Sequence, residues 1–473
     1  MNLSDDQVQT IVNRVVQDVL KSTPVEFKES VSEENWGVFQ DMDDAVEAAY
    51  EAFLLYEKMG IQDRKKFTDC VRQVTLDFKE EFSRMAIEQT GMGRLNHKIA
   101  KHENVAKHAS GIEFLQPECY SGKNGLAIDE YAPWGVIGNI SPSTHPSPTM
   151  LENIITQLSA GNTIVFNPHP ASKGLNAYVI ERCNQYMVKA GAPRNLVTCV
   201  SEPTLDSAKI MFGHSKTRLL SVTGGPGVVA EAMKYEKPVI AAGPGNPPVL
   251  IDETADLELA AKEITWSGSF DNNILCIAEK EIFVVDSVFN SFIKAFERQG
   301  NKMLISQQMD HLADKVLEKS GKHYLIRRDF VGRNANILAK VLGLQLADEV
   351  PLLFGETEAE HPWVVAEQMT SCIPVVRVQN FEQGIEEAKK AEHHFEHTSS
   401  VFTKDMNRAT AFAKELKTDI IVINGGTLRG NGGDFGESSF SHTIASPTGQ
   451  GITNPRDFCR HRRIMTAGAF RFV

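Results

Sequence analysis

A thiolate is well suited to attack on a carbonyl carbon, so the seven cysteines of this chain are its first candidates for chemistry. They are Cys70, Cys119, Cys183, Cys199, Cys276, Cys372 and Cys459, scattered, odd in number and without a C-x-x-C pair. A disulfide framework or a structural zinc site is therefore not expected. Most thiols in such a chain are small buried apolar groups. Cys276 has a distinctive setting: the polar run Ser269, Asp271, Asn272, Asn273 leads through Ile274 and Leu275 to the thiol, just before an apolar segment that reads as a strand. Backbone N–H groups at such a loop could hold an oxyanion. Two further segments are turn-like. Thr223-Gly224-Gly225-Pro226-Gly227 lies between an apparent strand and helix, where glycines admit a ligand to the backbone and a helix start offers N–H groups to a phosphate. It is not G-x-G-x-x-G, and a plain tight turn explains it too. Ala242-Gly243-Pro244-Gly245-Asn246-Pro247-Pro248 reads as a rigid loop beside a cleft or as a crossover between domains.

The elements that must position these residues follow from the apolar pattern. Residues 41–90 are helical, with Ala45, Ala48, Ala49, Ala52, Phe53 and Tyr56 on one face. From residue 135 short strands alternate with helices: strands at 135–140, 163–166, 196–200, 218–223 and 238–242, helices at 149–158 and 205–211. Such alternation predicts a parallel sheet covered on both faces, which binds nucleotides at the carboxyl ends of its strands. A second alternating segment over 248–424, with strands at 282–285, 374–378 and 420–423, predicts a second α/β lobe. The tail after Gly425 is rich in Gly, Ser and Thr and turns basic at Arg460-His461-Arg462-Arg463.

The first twenty residues stand apart. Val8, Ile11, Val12, Val15, Val16 and Val19 make one apolar stripe on a helix, with Ser4 as N-cap. The polar stretch 22–35 reads as a linker. A helix this short must dock, either on its own protein or on a partner.

Length and composition bound the rest. A chain of 473 residues implies two or three domains, and 42% apolar with 23% charged residues is the balance of a water-soluble globular protein. No apolar run is long enough to span a membrane, and no basic-then-apolar leader is present, so neither insertion nor export is expected. A net charge of -12 argues against a nucleic-acid binder.

Taken in order, six segments resemble the aldehyde dehydrogenase superfamily, and most of all its CoA-acylating branch from bacterial propanediol and ethanolamine microcompartments. They are Ser141-Pro142-Ser143-Thr144-His145-Pro146, Asn167-Pro168-His169-Pro170, Thr223 to Gly227, Gly245-Asn246-Pro247-Pro248, Leu275-Cys276-Ile277-Ala278-Glu279-Lys280 and Ser446-Pro447-Thr448-Gly449-Gln450-Gly451. The resemblance implies an α/β, aldehyde dehydrogenase-like fold. Residues 1–20 would be a targeting helix and 21–35 a linker. Residues 36–247 would form a Rossmann-type cofactor domain, with a β element for oligomerisation near 119–134. Residues 248–436 would form the catalytic domain, and 437–473 would return to the cofactor domain and the oligomerisation element.

The family nucleophile falls on Cys276, the cofactor turn on Thr223, Gly224 and Gly225, and the adenosine side on Asn167, Pro168 and His169. A family acid that contacts the nicotinamide ribose falls on Glu367. Two departures bear on the reaction. Hydrolytic members place a water-activating Glu where this chain has Ala242, so acyl transfer to CoA is favoured over hydrolysis. Where the family usually has an oxyanion-holding Asn, this chain has His145, whose neutral ring can also donate one hydrogen bond. His397 fits a motif of the acylating branch and reads as structural. The resemblance implies oxidation of a short-chain aldehyde, acetaldehyde or propionaldehyde, with NAD and coenzyme A. It also implies a homo-dimer or tetramer in the cytoplasm, within a microcompartment lumen, docked on shell or co-cargo proteins through residues 1–20. The alternatives are a non-acylating aldehyde dehydrogenase and a non-catalytic cargo or scaffold protein.

Overall fold

The computed structural model describes residues 35–320 and 323–470. The expected helix over residues 1–20 lies outside the described residues, as does the linker apart from Asn35.

Continuous apolar runs such as 163–166 and 282–285 suit strands buried on both faces, and two wholly parallel sheets result. The first has six strands in the order Val38–Phe39, Val197–Val200, Thr163–Pro168, Val136–Ser141, Thr217–Thr223, Val239–Ala242. From the central strand Val136–Ser141 the chain builds outward to one side and then to the other. The order therefore reverses between Val136–Ser141 and Thr217–Thr223, and the carboxyl ends of these two strands frame a crevice. The second sheet has seven strands in the order Lys302–Met303, Leu353–Thr357, Cys372–Val378, Glu281–Val285, Pro248–Ile251, Thr398–Phe402, Ile420–Ile423. The two strands nearest the chemistry, Pro248–Ile251 and Glu281–Val285, each begin just after a segment singled out above, the Gly-Pro loop and the cysteine run.

The helical stretch 41–90 is two helices, Met42–Tyr56 and Ile61–Thr90. Gly60 breaks it, and its N–H donates to the Asp63 carboxylate to start the second helix. Ala45, Ala49, Ala52 and Tyr56 are buried as the spacing predicts, and Ala48 and Phe53 are half-buried. Helix Pro146–Ser159 is buried along its whole length between the first sheet and helix Ile61–Thr90. A helix without a wet face must satisfy its polar side chains internally, and Gln157 exchanges two 2.9 Å hydrogen bonds with Asn139.

A third, antiparallel sheet joins Glu118–Gly122, Gly125–Pro133 and Cys459–Ala467. The basic run of the tail lies in its last strand, where Arg463 grips Asp129 with two 2.6 Å bonds. Tyr120, Ile464 and Met465 stay exposed on it. Among the described residues no helix is long and apolar enough to cross a membrane.

Candidate active site

Helix Leu257–Ser269 ends in a short turn in which Asp271, Asn272 and Asn273 take φ of 49°, 58° and 63°. Three successive left-handed residues other than glycine are unfavourable unless something holds them. Each side chain does so. Asn272 donates to Gly332 O at 2.8 Å and to Asn334 Oδ1 at 2.6 Å. Asn273 donates to Gly268 O at 2.8 Å and to Glu279 O at 2.9 Å. Asp271 accepts the Arg94 N–H at 2.8 Å and pairs with Lys98 and Lys101. Beyond the turn, Lys280 Nζ donates to Leu275 O at 2.9 Å and to Asn273 O at 3.1 Å. Leu275, Ile277 and Ala278 sink into the core beneath. Cys276 is thus held at the surface of a rigid loop, half-buried.

The thiol borders a cavity of about 260 Å³ at the switch point of the first sheet. Thr223, Gly224, Gly225 and Ala242 form one side of it, and His145, His169, Glu367, Met369 and His442 complete the wall. A second cavity of about 390 Å³ shares Ser143, Thr144, His169, Glu367 and Met369 with the first and extends past Arg328. Together they make a cleft of the size that takes a cofactor and a small substrate. The turn fits a dinucleotide. A Cβ added to Gly225 would meet nothing within 4 Å, so backbone is open to a ligand there, and Thr223 Oγ1 is buried without a protein partner.

Charges in the cleft are tuned by burial. Burial and then the neighbouring Glu367 push the Cys276 thiol up to about 12, opposed by Lys280 and by the Cys276 and Ile277 N–H groups. Burial raises Glu367 itself, although Lys280 and the Gly245 N–H, which donates to it at 3.3 Å, act the other way. His145 sits at the N-cap of helix Pro146–Ser159, its ring stacked 5.5 Å from that of His442. Burial, then Lys101, holds it well below the usual imidazole range, so it is neutral.

These features decide the comparison with known proteins. Residues 31–439 match the aldehyde dehydrogenase family. The chain belongs to this family. It is 39% identical over 469 residues to the acetylating acetaldehyde dehydrogenase EutE of Salmonella typhimurium, covering 98% of this chain and all of that one. It is 34% identical to the CoA-propanoylating propanal dehydrogenase of Citrobacter freundii, covering 99% of each. Among solved structures, the propionaldehyde dehydrogenase of the Clostridium phytofermentans fucose utilisation microcompartment superposes with a TM-score of 0.89 at 38% identity, covering 92% of this chain and 99% of that one. The Rhodopseudomonas palustris propionaldehyde dehydrogenase with bound CoA and an acylated cysteine has a TM-score of 0.89 at 38% identity, covering 92% and 98%. Within the aldehyde dehydrogenases the chain groups with the CoA-acylating branch.

Of the residues singled out in the sequence, Cys276, His145, Thr223, Gly224, Gly225, His169 and Glu367 border one cleft. Asn167 and Pro168 border neither cavity. The Asn167 amide accepts from Ser207 at 2.6 Å and donates to Thr204 O at 3.3 Å. His397 is buried behind Gly245, where an added Cβ would meet the Cys276 carbonyl at 2.6 Å and the His397 ring at 3.0 Å. His397 Nδ1 shares a 2.8 Å bond with Thr398, Nε2 lacks a protein partner, and burial holds the ring down to about 3. The sequence reading missed Lys98, Lys101, Asp271 as their partner, and His442. The available signal was the placing of His97, Lys98 and Lys101 on one face of helix Leu95–His108, a pattern that equally suits a solvated face.

Proposed function

We propose that this chain oxidises a short-chain aldehyde, acetaldehyde or propionaldehyde, to the acyl-CoA, with Cys276 as nucleophile. The observation that carries this reading is the single cleft that joins the Cys276 thiol, the neutral His145 and the glycine turn, with Ala242 where hydrolytic members have a carboxylate. The Cys276 thiol gives its proton to solvent, and its sulfur bonds to the aldehyde carbon. The carbonyl oxygen becomes an oxyanion, held by the Cys276 N–H and by a ring N–H of His145. Thr223, Gly224, Gly225, His169 and Glu367 would hold NAD, which would supply the hydride acceptor for the oxidation. Cys276 is left as an acyl thioester, which the CoA thiol attacks through the same cleft, and the Cys276 sulfur leaves. Glu367 is a carboxylate in the cleft, but it stands outside the motif that holds Ala242 and accepts the Gly245 N–H at 3.3 Å. The relatives' acetylating and propanoylating names support a two- or three-carbon aldehyde.

The exposed three-stranded sheet serves to join subunits into a dimer or tetramer, since unpartnered strand edges with exposed apolar side chains call for a cover. Residues 1–20 dock on shell or co-cargo proteins, and the enzyme works in a microcompartment lumen. This placement is supported by the apolar stripe of the sequence and by the microcompartment origin of the Clostridium phytofermentans relative.

Aldehyde and NAD without CoA should give about one NADH per active site and then stall, and CoA should restore turnover. Cys276→Ser should abolish the burst. Steady CoA-independent NADH with free carboxylic acid as product would favour the hydrolytic reading, and no NADH under any condition would favour a silent cargo protein.

A further inference from the structure

Behind the cleft lies a buried charge cluster that the reaction above does not use. Lys101 projects from helix Leu95–His108 and is wholly buried. Its ammonium pairs with the Asp271 carboxylate, which is also wholly buried and also paired with Lys98 at 3.2 Å. Lys101 Nζ also lies 3.2 Å from His145 Nδ1. An ammonium carries three N–H donors and no lone pair, so at this contact Nδ1 must be the acceptor. The neutral ring then carries its proton on Nε2 and has one N–H to give.

We propose that Lys101 is a positioning residue for the reaction: it fixes His145 in the Nε2-protonated tautomer and ties that ring, through Asp271, to the loop that carries Cys276. The proposal rests on the reading of His145 as an oxyanion donor. One ammonium thereby joins the two groups whose separation must be right in the transition state. Asp271 lies five residues before the nucleophile in the strained turn, and His145 lines the same cleft as Cys276. Without Lys101 the ring could keep its proton on Nδ1, and an acceptor would then face the developing oxyanion. A wrong tautomer is costly where an imidazole must act from one nitrogen.

The test is a double-mutant cycle read in the NADH burst with propionaldehyde and NAD, without CoA. Lys101→Met should slow the burst by about ten- to a hundredfold, below the roughly hundred- to thousandfold loss of a removed oxyanion donor because the ring is still present, with the aldehyde KM little changed. In a His145→Asn background, whose amide has no tautomer to fix, the same change should slow the burst less than about threefold. Lys101→Arg, which is also donor-only, should recover much of the rate in the His145 enzyme. If Lys101→Met does not fold, Lys101→Gln is carried through the same cycle, because its amide can either donate or accept and no longer dictates the tautomer. Equal losses in both backgrounds would overturn the proposal and leave Lys101 a structural partner of Asp271. Full burst rate in His145→Ala would overturn it through its premise. A wild-type enzyme that gives no burst would instead sink the functional reading, which separates the two failures.

Discussion

On one wall of the cleft the chain presents almost no side chain. Gly224 and Gly225 follow Thr223, and the space beside Gly225 is open. On the other wall, residues 271–276 run through three left-handed residues and are gripped by Lys98, Lys101 and Lys280, all buried. The first wall works by what it omits, so that a ligand can lie against backbone. The second works by what it concentrates, so that a thiol stays in one place. A side chain added at Gly225 on the first wall meets no protein atom within 4 Å. A residue removed from the second leaves buried charges without partners. The two walls should therefore fail in different ways when mutated.

The sharpest separation comes from Asp271→Asn. Burial alone would raise this carboxyl, and Lys101 and Lys98 beside it pull it down to about 2. A folded-state value below the unfolded one contributes stability that is present above about pH 4 and is lost as pH falls through about 2. The Asn variant forfeits that contribution and leaves two lysines facing no carboxylate, a change of the kind that costs roughly 3–5 kcal/mol. Urea unfolding at pH 7 should show a midpoint far below that of the parent, with the burst reduced as well. A midpoint within experimental scatter of the parent would show that the charges do not organise the second wall.

Gly225→Ala probes the first wall. Gly225 is the N-cap of helix Pro226–Ala232, where Ala is poorer than Gly by no more than about 1 kcal/mol, so the melting temperature should move little. A methyl group in the space that backbone leaves open should raise the NAD KM about tenfold, roughly 1.4 kcal/mol of binding, with the aldehyde KM unchanged. Unchanged NAD kinetics would mean that the cofactor does not pass over Gly225.

The same contrast governs what could be read from the sequence. Omission is legible, because Gly224, Gly225 and the Gly-Pro loop from Ala242 stand out by residue type, and the segments lie where the alternation of strands predicts a crevice. Most strands lie within a residue of their expected bounds, as 135–140 is Val136–Ser141 and 420–423 is Ile420–Ile423, whereas 163–166 and 374–378 are each two residues longer, as Thr163–Pro168 and Cys372–Val378. Cys276 was found through its motif. Concentration is not legible. Lys98 and Lys101 look like ordinary cations on a solvated helix until the loop 170 residues away folds over them. The hydrogen bonds of the Asn167 amide were equally hidden, because its partners, Thr204 and Ser207, lie on a later element. The break at Gly60 went unseen because the apolar spacing carries on through both helices.

The finest probe of the contrast is Glu367, where the two walls meet. This carboxylate raises the Cys276 thiol, second only to burial, while Lys280 from the nucleophile loop lowers it. The thiol titrates in the alkaline range, where Glu367 is ionised even though burial has raised its own value. Removing that negative charge makes the thiolate easier to form. Glu367→Gln should therefore move the pH profile for alkylation of Cys276 by iodoacetamide to lower pH, measured without NAD and with mass spectrometry confirming the site. Burial is left in place, so the shifted profile should still lie above that of an ordinary exposed cysteine. Because Glu367 is also assigned to the cofactor, the same variant should bind NAD more weakly. The alkylation shift is read without NAD, so it is independent of that loss. A profile that moves to higher pH, or not at all, would show that the Glu367 charge does not reach the thiol and that burial alone sets the resting state of the nucleophile.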